Sequence, residues 1–352
     1  MLKLVHDLEH CFEIGEYFMV SIPVIDLGDL ISDTSNKRVI ADQMDVACRH
    51  TGFFYVRNSG VNPLLIKRLE AVSHEFFSRS IEEKMGIEMK KSGKAWRGYF
   101  PVGGELTSGK PDIKEGLYFG EELDSRSPLV RASLPLHGSN LFPSQIPEFR
   151  NLVIEYIHQL TTLGHHLMRG LSLALGLDEF YFRDQYTKDP FVLFRIFNYP
   201  LQSGDSITRE EWGVGEHTDY GLLTILHQDQ SGGLEVKSGG NWIQAEPIEN
   251  TFICNIGDML DKATAGIYKS TLHRVRNKSV KSRLSFPFFF DPNYFSRVCP
   301  IFSDSSQPDS PRWDNQNLHL FSGTYGSYIE SKVSKVFPDL FSTVIAPDDG
   351  SR

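Results

Sequence analysis

The apolar positions of this chain are mostly helical in period, with loop-rich stretches, before residue 190 and mostly strand-like after it. Val39, Ile40, Met44 and Ala47 predict a helix over Arg38–His50. Asn62 as cap and Pro63 in the first helical position open another, with the stripe Leu65, Leu69, Val72 and Phe76. Ser80 and Glu83 have the spacing of a capping box for a third, short helix. The longest stripe runs from Pro147 to Gly176 through Phe149, Val153, Tyr156, Leu160 and Leu167. On it, the adjacent His165 and His166 point to different sides and read as solvent-facing or core polar residues. Val20–Leu27 and Gly52–Val56 predict short strands. Lys90–Leu123 is nearly aperiodic and rich in glycine, charge and aromatics, which predicts an ordered loop with short extended pieces.

After Pro190 the period changes. Strand patterns recur at Val192–Tyr199, Leu222–Leu226, Gly233–Val236, Trp242–Ala245, Thr251–Ile256, Ser270–Val275 and Arg283–Phe290. Turn pairs at Gly239-Gly240 and Gly257-Asp258 punctuate them. A last amphipathic helix is expected within Phe321–Phe337. Many short strands with few helices predict a mainly β sandwich or jelly roll with flanking helices, the long one packed on the barrel, in one compact unit.

Charge and cysteine content narrow the function. A net charge of −9 argues against non-specific nucleic-acid binding, which needs a positive surface. No apolar run is long enough to predict a membrane helix, and the first residues lack the uninterrupted apolar core of a secretion signal. Cys11, Cys48, Cys254 and Cys299 lie far apart without a CxxC pair, which suits reduced thiols in the cytoplasm. No protein partner is implied.

The chemistry concentrates in Gly213–Leu226, GVGEHTDYGLLTIL. His217 and Asp219 stand two apart at the mouth of a strand-forming run, and side chains at i and i+2 of a strand share a side. A second histidine-x-acid copy, His227 and Asp229, closes that same run and leads into a turn, so position favours the first copy. His273, in the β-branched stretch TLHRV, is the candidate third ligand, expected on a strand not adjacent to that of His217. Two His and one carboxylate leave open positions on an octahedral metal, which suits non-haem Fe(II). A zinc hydrolase stays open, although no HExxH frame occurs. Ten residues on, Arg283 and Ser285 share a strand face, a pairing suited to a carboxylate, or otherwise a structural ion pair. Arg195, Phe197 and Tyr199 also share a face; Tyr199 could bond the same carboxylate and Arg195 an acidic substrate, with a structural tyrosine as the alternative. Phe288 and Phe290, opposite Arg283, read as outer core.

Together His217-Thr218-Asp219, His273 and Arg283-Leu284-Ser285 resemble the iron and co-substrate motifs of the isopenicillin N synthase-like family of 2-oxoglutarate/Fe(II) dioxygenases. PVIDL and GFFYV resemble its N-terminal region, NYP and HTDYGLLTIL its catalytic core, while GELTSGKPDIKEGLYFG and GTYG resemble a little-characterised branch. The resemblance implies a distorted double-stranded β-helix with an N-terminal region at 20–140, a packing helix at 147–176, a catalytic core at 190–292 and a C-terminal segment at 293–345. It implies Fe(II) on His217, Asp219 and His273. It also implies 2-oxoglutarate with its far carboxylate on Arg283, Ser285 and Tyr199, and O₂ as oxidant. The implied reaction hydroxylates or desaturates a small molecule and releases succinate and CO₂; the strand reading makes Arg195 and Phe197 the candidate substrate-binding residues. Two positions depart from the family: Ser59 stands where a histidine is usual, and Phe197 where many plant members have asparagine. An Fe(II) oxidase that does not use 2-oxoglutarate and a non-catalytic binding barrel are the competing readings.

Overall fold

The computed structural model describes residues 21–201, 212–276, 281–302, 312–314, 317–338 and 342. Cys11, Val20 and the stretches 339–341 and 343–345 lie outside the described residues. The first part runs β1 (Val24–Asp26), α1 (Gly28–Ile31), α2 (Lys37–His50), β2 (Phe53–Arg57), α3 (Pro63–Phe77) and α4 (Ile81–Met85). Local chemistry sets these helix starts. The Asn62 side chain accepts the Leu64 N–H at 2.9 Å ahead of Pro63, and Ser80 with Glu83 forms both bonds of a capping box.

Next come β3 (Gly98–Phe100), the small hairpin β4 (Leu106–Thr107) and β5 (Lys110–Pro111), β6 (Glu115–Gly120), α5 (Pro128–Arg131) and the long α6 (Phe149–Ala174). The β-rich part holds β7 (Phe191–Tyr199), β8 (Val214–His217), β9 (Leu223–Gln228), β10 (Leu234–Ser238), β11 (Asn241–Gln244), β12 (Phe252–Ile256), α7 (Asp258–Ala263), β13 (His273–Val275) and β14 (Arg283–Asp291). Helix α8 (Tyr325–Val336) follows, started by Thr324, whose hydroxyl accepts the Ser327 N–H.

Two sheets frame the site. The larger has eight strands in the order β1-β2-β12-β9-β14-β7-β6-β3, and the smaller has four, β11-β10-β13-β8. Alternation along β14 divides its side chains: Arg283, Ser285, Pro287, Phe289 and Asp291 line a cavity between the sheets, whereas Phe286, Phe288 and Phe290 are wholly buried on the other face. Helix α6 covers that other face. It approaches so closely at Gly164 that a Cβ there would stand 2.4 Å from the Phe290 ring, and its Tyr156 ring packs 4.8 Å from Phe194. His165 packs edge-on against Phe290, as a core-facing polar residue.

Three sequence expectations change. Lys90–Leu123 holds the expected short extended pieces in β3, β4 and β5, but Glu115–Gly120 is a six-residue, fully buried strand pairing with both β7 and β3. Its Gly116, which reads as a breaker, is there because a Cβ would meet the Phe197 and Phe100 rings at under 3 Å. Gly257-Asp258 is not a turn between strands but the start of α7, with Gly257 as cap and Asp258 in the acid-favouring first turn. Val39 is exposed on α2 and takes no part in its buried stripe. No helix among the described residues is long and apolar enough to cross a membrane.

Candidate metal centre and substrate cavity

His217 is the last residue of β8 and His273 the first of β13, and they stand directly opposite in register. Their ring centroids are 4.2 Å apart. The two histidine strands are therefore neighbours in the small sheet, contrary to the expectation of non-adjacent strands; a register shift between His273 and Val275 accompanies the pairing. Asp219 lies beyond β8, in the connection that carries the chain to β9 of the large sheet. The pair thus does not open the strand that follows. It converges because the chain turns from one sheet to the other. Asp219 Oδ1 is 3.8 Å from His217 Nε2 and 3.7 Å from His273 Nε2, and one ligand atom from each residue lies within 4.8 Å of the others.

The surroundings aim these atoms. His217 Nδ1 meets the Gly215 carbonyl at 2.8 Å and His273 Nδ1 the Thr271 carbonyl at 3.1 Å. Each Nδ1 then carries the proton, which leaves the Nε2 lone pairs facing Asp219. Asp219 Oδ2 accepts from Thr224 Oγ1 at 2.6 Å and from Asn255 Nδ2 at 2.7 Å, so Oδ1 is the oxygen turned to the imidazoles. Burial, with His273 alongside, pushes the His217 imidazole down to about 3 and keeps it a neutral donor. Burial opposes charge on Asp219, but the two imidazoles and the Asn255 and Thr224 donors hold it below its ordinary value. Two imidazole nitrogens and one carboxylate oxygen, each oriented from behind, fit Fe(II) with open positions. The rival copy is excluded from the site: His227 Nε2 bonds Glu70 at 2.8 Å and its ring packs on Phe286.

The ligands open on a cavity of about 600 Å³, within the usual size for small-molecule sites. At one end stands Arg283, wholly buried. Its Nε bonds the Gly232 carbonyl at 2.6 Å and Nη2 reaches Gln228 at 3.4 Å, but Nη1 has no partner. Tyr199 lies opposite in register, its ring 4.7 Å from the guanidinium carbon, and Ser285 shares the cavity face. A buried guanidinium nitrogen without an acceptor is costly unless a ligand supplies one, and a carboxylate does so.

Arg195 and Phe197 line another stretch of wall. Arg195 has its guanidinium carbon 4.2 Å from the Tyr118 ring centroid and 4.7 Å from that of Phe289, and stands 3.6 Å from Glu105, with Nε buried and unpartnered. Beside it the chain read as a loop delivers three buried charges. Lys114 pairs with Glu105 at 2.9 Å and with Asp112, and its ammonium lies 4.8 Å from the Phe197 ring centroid. Burial raises Asp112 to about 6 despite Lys114; Glu105 is held low by Lys114 and Arg195 against its burial.

Sequence reasoning missed Glu105, Lys114, Asn255 and Asp291 on the cavity wall. Asn255 did carry a signal: it is the polar residue in the apolar run TFICNI and stands opposite Thr224 in register. Ser59, the departure from the usual histidine, accepts the local Val61 N–H at 3.4 Å.

Comparison with known proteins agrees with this geometry. Residues 22–145 match the model described as non-haem dioxygenase in morphine synthesis N-terminal, and residues 190–292 match the 2OG-Fe(II) oxygenase superfamily. A probable iron/ascorbate oxidoreductase of Dictyostelium discoideum is 47% identical over 92% of this chain and 97% of its own length. A homoarginine-6-hydroxylase of Glycine max is 36% identical over 91% and 98%. The crystal structure of a full-length Neurospora crassa protein in complex with α-KG, that is, 2-oxoglutarate, superposes with a TM-score of 0.75 at 26% identity, covering 91% of this chain and 98% of that one. With its distorted jelly roll and its two-histidine, one-carboxylate triad, the chain belongs to the 2-oxoglutarate/Fe(II) oxygenase superfamily.

Proposed function

We propose that this 2-oxoglutarate-dependent Fe(II) dioxygenase oxidises a small amino-acid-type substrate. Fe(II) on His217, Asp219 and His273 supplies the activation of O₂ that is coupled to conversion of 2-oxoglutarate into succinate and CO₂. The chain's own residues do the rest. Arg283 receives the far carboxylate of the co-substrate on Nη1, with Ser285 and Tyr199 beside it. The carrying observation is that unpartnered, buried Nη1 in the cavity that also holds the triad.

Arg195 and Phe197 take part in substrate binding. Arg195 presents a cation and Glu105 an anion on one wall, and such a wall suits a ligand that carries both signs. The relative named for hydroxylating homoarginine, an amino acid, supports this choice. Phe53, Glu105, Arg195, Trp313 and Lys332 all line the cavity, which supports reading 20–140, 190–292 and 293–345 as one catalytic unit, with 147–176 packed on it. The free thiols of Cys48, Cys254 and Cys299 support a reducing, cytoplasmic setting.

The test is a panel of amino acids and uncharged analogues incubated with Fe(II), 2-oxoglutarate and O₂, with succinate and oxidised product both measured. Product matched by succinate for a zwitterionic member is the expected result. Product without succinate would favour an oxidase that does not use 2-oxoglutarate, the reading to which the name iron/ascorbate oxidoreductase lends support.

A further inference from the structure

We infer that Arg312 is a positioning residue that ties the cavity's C-terminal wall to the metal-ligand turn. Thr218 stands between two ligands, His217 and Asp219, and is almost wholly buried. Its hydroxyl oxygen accepts from Arg312 Nη2 at 3.0 Å and from Trp313 Nε1 at 3.3 Å. The same guanidinium donates from Nη2 to Asp258 Oδ2 at 3.0 Å, and its Nη1 stands 2.9 Å from Oδ1 as an ion pair. Asp258 has no exposed surface, and its backbone N–H donates to the Asp219 carbonyl at 2.8 Å. Tyr328 of α8 donates to the same carboxylate at 2.6 Å. One arginine therefore joins the turn that presents two metal ligands, the first turn of α7 and helix α8.

Its neighbours Trp313 and Asp314, with Lys332 on α8, line the substrate cavity. Asp314 bridges Arg312 Nε at 3.3 Å and Lys332 Nζ at 3.4 Å. The family reading assigns no part to this cluster. Its geometry gives it one: the wall that meets substrate and the turn that holds the metal move together or not at all. A charge-assisted hydrogen bond to a carboxylate with no exposed surface, with a second guanidinium nitrogen at ion-pair distance, suits that duty, because it is stronger than a neutral contact.

The experiment compares Arg312→Ala, Arg312→Lys, Thr218→Val and the double variant Thr218→Val/Arg312→Ala. Fe(II) affinity of the metal-stripped full chain is read anaerobically from tryptophan fluorescence, and the ratio of product to succinate from turnover. Residues that orient metal ligands change metal affinity by roughly 10- to 100-fold, so a loss of that order is expected for Arg312→Ala, with a smaller loss for Arg312→Lys. Thr218→Val should weaken Fe(II) binding in the same direction, and the double variant should lose less than the product of the two single losses. The product-to-succinate ratio should fall in Arg312→Ala, as the loosened wall lets co-substrate turn over without substrate. Unchanged Fe(II) affinity in both single variants, or fully multiplicative losses, overturns the inference. Failure of the wild-type chain to bind Fe(II) would instead overturn the metal assignment itself.

Discussion

Replacing Arg283 by lysine tests the contact proposed for the far carboxylate of the co-substrate. Arg283 holds itself in place with Nε on the Gly232 carbonyl and Nη2 near Gln228, and so offers Nη1 to a ligand. A lysine can keep one of those anchors or reach the ligand, but a single ammonium cannot do both. The lost interaction is a charge-assisted hydrogen bond in a buried site, about 1.5–3 kcal/mol, which converts to roughly a 10- to 140-fold weaker affinity for 2-oxoglutarate. The assay is an anaerobic titration of the Fe(II)-loaded protein with 2-oxoglutarate, followed by the visible charge-transfer band. Fe(II) affinity should stay as in the wild type, because Arg283 is not among the three ligand residues. Circular dichroism melting controls for damage to the buried strand. An unchanged 2-oxoglutarate affinity in a folded Arg283→Lys protein would refute the argument, and so would a loss confined to Fe(II) binding.

Other outcomes follow from the same geometry. His217→Ala should abolish Fe(II) binding while His227→Ala, which loses a contact to Glu70 and ring packing on Phe286 away from the ligands, should retain it; equilibrium dialysis with Fe(II) decides. Asn255→Ala frees one bond to Asp219 Oδ2 and should weaken Fe(II) binding about 10-fold, measurable by the same dialysis. Burial raises the Asp291 carboxyl from 3.8 to about 7, so the folded metal-free chain holds a proton there that the unfolded chain releases. Stability from this group is greatest below about 4 and falls as pH rises toward 7. Asp291→Asn should flatten that slope in urea melts taken between pH 4 and 8, gaining on the order of a few kcal/mol at the alkaline end; an unaltered slope would count against it. Gly164→Ala puts a methyl group into the Phe290 ring and should cost about 1–3 kcal/mol in thermal or urea unfolding.

The helices and most of the β-rich half were legible because their signals are local. A cap, a stripe or an alternation needs no knowledge of what packs above it, and Asn62, Ser80 and the Phe288/Phe290 face of β14 behaved as their patterns imply. The triad was legible for a different reason: few other arrangements give a paired histidine and carboxylate use for a third histidine 56 residues on. What the pattern misjudged was set by neighbours. Gly116 sits in a strand because two aromatic rings crowd it, a fact written in Phe100 and Phe197 and not in the segment itself. The adjacency of the two histidine strands depends on sheet order, which periodicity does not encode. The buried charges Glu105 and Lys114 lie in a stretch without period, and the ion pair that lets them be buried joins two sides of a hairpin that periodicity does not encode.

The ligand turn has one more consequence. Two ligands end or begin strands of the four-stranded sheet, and the third sits on the crossover to the eight-stranded sheet, braced there by Thr224 and Asn255. A bound ion therefore works as a rivet through both layers of the sandwich. Since only the folded chain brings the three atoms together, occupancy at one hundred times the dissociation constant adds about 2.7 kcal/mol to stability. Iron supply would then govern how long this protein survives as well as how fast it works, and chelation would remove the tie between the two sheets.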